Sequence, residues 1–236
     1  MCASPGAEWF LLDRGSIVDL RDGPHPTLVL GHAGGETELP DGSTHFIVVY
    51  DGVVNLTVAF GSYAMRPGQH AAIPGRASLS GSGHALIVSR LGYLGMFTLG
   101  GPIEPLGRLK YIDGCSDTVL IGPILRGDPC LNMLHVPPAV DQTEHTHPSV
   151  RVGIVISGNG RCVTPDHTLS LVPGGVFVLH PDAPHSFHTD VSPLQIVVYH
   201  PDSDTGPSHD DHPMLNRSIV GGRSAADLPN IRTTQI

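Results

Sequence analysis

Short apolar runs alternate with glycine- and proline-rich turns along this chain. In the first half Thr27-Leu-Val-Leu, Phe46-Ile-Val-Val-Tyr, Asn55-Leu-Thr-Val-Ala-Phe, His70-Ala-Ala-Ile and Ala85-Leu-Ile-Val read as strands. In the second half Val119-Leu-Ile, Leu131-Asn-Met-Leu-His-Val, Val150 to Ile156, Leu169-Ser-Leu-Val, Val176 to Leu179 and Leu194 to Tyr199 do the same. Turns fall between them at Gly34-Gly35, Asp41-Gly42, Asp51-Gly52 and Pro67-Gly68. No amphipathic helical run of a dozen residues stands out. Short strands at this pitch predict an all-β barrel or sandwich.

The two halves repeat one plan. Gly52 precedes Pro67-Gly68 by fifteen residues, and Gly158 precedes Pro173-Gly174 by fifteen, an offset of 106 residues. Strands match along with turns, which is the signature of an internal repeat. The stretch Leu99 to Lys110 reads as the linker between the copies. The tail from Pro201, with Asp202, Asp204, His209, Asp210, Asp211 and His212 among Gly, Ser and Pro, reads as irregular.

Composition narrows the function. Hydrophobic residues make up 40% of 236, enough for a core, and charged residues only 15%. The net charge is −9 and no basic cluster exists, which argues against a nucleic-acid partner. No run of eighteen apolar residues exists, which argues against a membrane span. Met1 to Asp13 lacks the basic-then-apolar order of a signal peptide, so a cytoplasmic location is expected. The four cysteines (2, 115, 130 and 162) have no Cys-x-x-Cys spacing and read as reduced thiols.

The candidate chemistry lies between His145 and His185. His145 and His147 are two apart, so in a strand both imidazoles point to one face. His185 follows a second Gly/Pro turn and offers a third nitrogen from a neighbouring strand. Three neutral imidazoles suit a divalent transition metal: Fe, Mn, Co, Ni, Cu or Zn. The ring nitrogens bind only when deprotonated, so affinity should fall below about pH 6. By alternation Ser149 and Arg151 share the face of His145 and His147. An interior Arg needs an anion, and no inward carboxylate is evident from the pattern. Arg151 is therefore read either as the clamp for an anionic substrate or as an Arg held by barrel carbonyls or by a tail carboxylate such as Asp210. His135 reads as lining the pocket from the preceding strand, while His180, His188 and His200 read as exterior or mouth residues.

These residues resemble the two motifs of the cupin superfamily. His145, His147, Arg151 and Gly158 fall on the first motif and Pro173, Gly175 and His185 on the second. Arg151 stands where the family has a glutamate, and the gap to His185 is longer than the strict consensus. The resemblance implies two tandem cupin (double-stranded β-helix, jelly-roll) barrels: residues 1–105 as a degenerate metal-free barrel, 106–204 as the metal-binding barrel and 205–236 as a tail. It implies a non-haem Fe(II) dioxygenase acting on a small carboxylate-bearing metabolite, with His145, His147 and His185 as metal ligands. Gln195 and Tyr199, which share a face of the last strand, become pocket-lining catalytic candidates beside Arg151. The competing readings are a redox-neutral metal-dependent isomerase, decarboxylase or cyclase, and a non-enzymatic metal- or ligand-binding module. A homodimer is a further expectation. Carried back by the repeat, His145 falls on Leu39, His147 on Asp41, Arg151 on His45, and His185 near Ala77 or Ser78, so the first copy is expected to have lost the site.

Overall fold

The computed structural model describes residues 6–203 and 217–229. Most of the Asp/His-rich tail, from Asp204 to His212 and including Asp210, lies outside the described residues. The chain divides into two units, Met1–Ser203 and Asp204–Ile236. In the second, a hairpin of β19 (Ile219–Val220) and β20 (Arg223–Ser224) leads into a 3-10 turn at Ala225–Asp227.

The first unit is all β. Its first half contains β1 (Ala7–Leu11), β2 (Gly15–Leu20), β3 (Thr27–Leu39), β4 (Ser43–Asp51), β5 (Val54–Val58), β6 (Gly61–Met65), β7 (His70–Pro74), β8 (Ala77–Leu91) and β9 (Thr98–Gly100). Its second half contains β10 (Leu109–Lys110), β11 (Ser116–Ile121), β12 (Cys130–Val136), β13 (Arg151–Gly158), β14 (Gly160–Val163), β15 (Thr168–Leu171), β16 (Gly175–Leu179), β17 (Ser186–His188) and β18 (Leu194–His200).

The repeat is visible strand by strand. The series β3 to β7 recurs as β12 to β16 in the same order and spacing. At the four matched turn positions Gly52, Gly68, Gly158 and Gly174 have φ of 67°, 79°, 79° and 79°. That left-handed backbone excludes most side chains. At Gly158 a Cβ would also lie 1.8 Å from the Pro193 carbonyl oxygen.

An eight-stranded sheet runs β2-β3-β8-β4-β7-β9, with β5 and β6 joined through β8. A seven-stranded sheet runs β1-β16-β13-β18-β12-β11-β10, and a three-stranded sheet runs β15-β14-β17. Strand β1 corrects the expected boundary: Ala7 to Leu11 pair with Leu179 to Gly175 of the second half, although they belong to the first half by sequence. The side chains of Ala7 and Trp9 pack into that half's core, which explains the crossing.

Three apolar clusters result from strict alternation. Leu39, Ile47, Val54, Leu56, Leu79 and Ile87 fill the first half. Leu134, Val155, Phe177, Leu179, Ile196 and Val198 fill the second. The opposite faces of the same strands meet between the halves, where Phe46, Val48 and Val88 pack on Met133, Val152, Val197 and Tyr199. Each fully buried side chain of this size contributes about 1.5–3 kcal/mol. This shared layer is why residues 1–105 and 106–203 form one compact unit rather than two separate bodies.

Candidate metal centre

His145 lies in the loop before β13, outside any named strand, yet it is held as if in one. Its N–H donates to the His185 carbonyl and the His185 N–H donates back, both at 3.0 Å. This exchange places the two residues directly opposite each other. On either side Gln142 exchanges bonds with Phe187 through its backbone and its side-chain oxygen. The Asp182 N–H, 2.7 Å from the His147 carbonyl, fixes the next residue. Alternation from His145 to His147 then brings the third ring to the same side.

Ring centroids lie 4.6 Å apart for His145–His185, 5.0 Å for His145–His147 and 5.1 Å for His147–His185. One nitrogen from each ring lies within 4.8 Å of the other two. A cation at the centre of such a triangle is at most about 2.8 Å from each nitrogen, and a shift of under an ångström per ring reaches the 2.0–2.1 Å of a metal–imidazole bond. The tautomers are set. His145 Nδ1 lies 2.9 Å from the Thr143 carbonyl and His185 Nδ1 lies 2.9 Å from the Ala183 carbonyl. A carbonyl only accepts, so both Nδ1 atoms carry the proton and both Nε2 atoms present a lone pair. His185 Nε2 is buried without a partner, an orphan that a cation would satisfy.

The electrostatics favour neutral rings. Burial, followed by Arg151 and the other two imidazoles, pushes His147 down to about 3. Burial also lowers His185 to about 4, with His145 and Arg151 adding to it. Both rings therefore enter the physiological range ready to bind metal.

Arg151, on β13, faces the same interior and is 7% exposed. Its Nη1 donates to the carbonyls of Ser149 and Val150 and, at 2.6 Å, to Ser149 Oγ. Ser149 in turn donates to Asp202, whose charge is the leading favourable influence on the guanidinium. Nε remains buried and unpartnered. Carbonyls and Asp202 thus hold Arg151 in place, and one donor is left for a ligand.

Several expectations need correction. Tyr199 is fully buried on the opposite face of β18, its ring 5.1 Å from Phe46 between the two halves, away from the cluster. Gln195 shares that face and donates to the Glu104 carbonyl at 2.6 Å, so it secures the linker. His135 is the register partner of Gln195 and turns the same way. His200, expected at the exterior, alternates inward instead, and its ring lies 6.5 Å from His147. Burial and the neighbouring Arg151 and His147 lower its pKa well below the ordinary value. His180 bonds Glu8, and His188 bonds Asp141 and Ser186, both outside the cluster.

Two residues near the cluster were not foreseen, one of them partly exposed and one turned inward. Tyr111 packs edge-on against His145 at 6.4 Å. Asp117 on β11 is opposite Leu134, an inward residue, so a carboxylate does face the interior. The tyrosine sits in a linker without periodicity. The aspartate was hidden because the strand was read as beginning at Val119, whereas it begins at Ser116.

In the first half the equivalent site is closed. Leu39 opposes Ala77 where His145 opposes His185, and both are buried apolar residues. His45, at the Arg151 position, is fully satisfied by Ser89 Oγ at 2.7 Å and the Pro40 carbonyl at 2.9 Å.

Comparison with known proteins agrees with this geometry. Residues 138–205 match the profile of the AraC-like ligand binding domain. No curated protein sequence matches the chain. Among solved structures, a salicylate 1,2-dioxygenase from Pseudaminobacter salicylatoxidans superposes with a TM-score of 0.59 at 11% identity, covering 79% of this chain and 75% of that one. A putative glyoxylate induced protein from Pseudomonas aeruginosa gives 0.58 at 16% identity, covering 85% and 82%. A cupin 2 conserved barrel domain protein from Leptotrichia buccalis gives 0.57 at 13% identity, covering 84% and 90%. At these identities the likeness is one of fold.

Proposed function

The chain has the cupin fold, and on that premise we propose that its second half is a metal-dependent active site, that of a non-haem Fe(II) oxygenase acting on a small carboxylate-bearing metabolite. The observation that carries this reading is the convergence of three imidazole nitrogens within 4.8 Å beside a buried Arg with an unused donor. His145, His147 and His185 would hold the ion. Iron(II) bound there supplies one-electron chemistry towards O2, and three protein ligands leave positions open for small molecules.

The chain's own residues do the rest. The carbonyls of Thr143 and Ala183 fix the ring tautomers. Arg151 Nε offers a charged donor to a substrate carboxylate, a geometry-specific interaction stronger than a neutral hydrogen bond. Phe187, packed against His185, and Phe177, packed against Phe187, give the cluster an apolar floor. Because all three candidate ligands are neutral, an ion keeps its full charge, which favours capture of an anion.

The metal is not fixed by the donor set: Mn, Ni, Co, Cu or Zn would also be accepted by three imidazoles. One of the superposing structures is named a salicylate 1,2-dioxygenase, which supports the oxygenase reading. The match of residues 138–205 to a ligand-binding domain supports a second one, in which the site binds its ligand and turns nothing over. Anaerobic reconstitution with Fe(II), followed by oxygen-electrode assays across small carboxylic acids, separates them. Oxygen uptake dependent on both iron and one acid supports the oxygenase. Tight binding without uptake supports the binding module, and conversion without uptake supports a redox-neutral enzyme.

A further inference from the structure

Besides Arg151 the interior holds a buried amide oxygen that no donor fills and, on the neighbouring strand, a carboxylate. Asn132 lies two residues before Leu134 on β12, so it turns inward with it. Its Oδ1 is buried and receives no hydrogen bond. Asp117, one strand further on, also turns inward, and the Asn132 side chain is near enough to influence its carboxylate. The amide oxygen and the carboxylate both face the barrel interior from neighbouring strands. Among the described residues no Lys or Arg forms an ion pair with Asp117.

Arg151, Asn132 and Asp117 all turn towards the same barrel interior. The Tyr111 hydroxyl and the Cys130 thiol each lie within electrostatic reach of both Arg151 and Asp117. Tyr111 also stacks edge-on against His145, which joins this space to the imidazole cluster. A cationic donor stands at one end and a pair of acceptors, one of them anionic, at the other.

We infer that the substrate carries an amino group as well as a carboxylate, the carboxylate meeting Arg151 and the ammonium received by Asp117 and the Asn132 amide oxygen. This inference rests on the proposed role of Arg151 as the anion-binding group. An ammonium has three donors and a charge opposite to Asp117, whereas a hydroxyl has one donor and no charge, so only the ammonium satisfies both acceptors. Burial pushes the empty Asp117 carboxyl up to about 6, the response of a carboxylate lacking a nearby cation.

The test is calorimetry at pH 7.5 on protein loaded with Zn(II), a redox-silent probe. The titrants are amino acids with one to five carbons between amino and carboxyl groups, each beside its hydroxy and unsubstituted analogues. One amino acid should bind about ten-fold tighter than both analogues, the worth of one charged hydrogen bond. Asp117→Asn should erase that preference and leave the affinity for the unsubstituted acid intact. Asn132→Leu should reduce the preference, which guards against an Asp117 variant that fails to fold. Equal binding of amino and unsubstituted acids at every length overturns this inference alone. Binding by no acid at all overturns the role of Arg151 as well.

Discussion

Acid should destabilise the metal-free protein through two of the cluster's rings. His147 ionises at about 3 and His185 at about 4 in the folded chain, against about 6.5 when unfolded. Both native values are depressed, so the unfolded chain binds more protons. The stabilisation is complete above pH 6.5 and is lost as the pH falls towards 4. Each ring is unprotonated in the native state over about 2.5 pH units of that window, and at about 1.4 kcal/mol per unit the pair sets a ceiling of roughly 7 kcal/mol. Solvent reaches part of His147, and the loop before β13 relaxes when charged, so a loss of about 3 kcal/mol is the working expectation. That is a large share of a typical 5–15 kcal/mol. Urea denaturation at pH 7.0, 5.5 and 4.5 measures it. Other buried histidines also titrate, so the control is the His147→Asn, His185→Asn double variant, which should lose about 3 kcal/mol less over the same range. An identical decline in variant and wild type would refute the claim that these rings are held neutral by burial.

Three further outcomes follow from named contacts. Arg151→Met should raise the Michaelis constant for the carboxylate substrate by about ten-fold or more and leave bound metal unchanged, as read by steady-state kinetics beside metal analysis. Asp202→Asn should weaken the hold on Ser149 and through it on Arg151, raising that constant less than the Arg151 variant does and restoring part of the effect at higher substrate concentration. Gly153→Ala would place a Cβ 2.1 Å from the Phe177 ring in the floor beneath the cluster, and should cost about 1–3 kcal/mol in chemical denaturation.

Much of the fold was legible because its signals are local. Gly52, Gly68, Gly158 and Gly174 mark positive-φ turns, and alternation along β13 and β18 assigns each residue a face. The three histidines were legible for the same reason, since an i, i+2 pair on one face needs only one further ring. What alternation alone did not supply was which face is the interior. In β18 both faces are buried, one in the barrel and one between the halves, so Gln195 and Tyr199 were read as pocket-lining and His200 as exterior. The pairing of β1 with β16 joins positions some 170 residues apart, and no local pattern encodes it. Tyr111 and Asp117 come from the loop after β10 and from the short strand β11, where periodicity is weakest.

The central claim is that three imidazoles bind one cation. Equilibrium dialysis of metal-free protein against Zn(II) at pH 7.5, beside the His145→Ala, His147→Ala, His185→Ala triple variant, tests it directly. The wild type should retain one ion per chain and the folded variant none. Retention of the same single ion by the triple variant, or none by the wild type, contradicts the account.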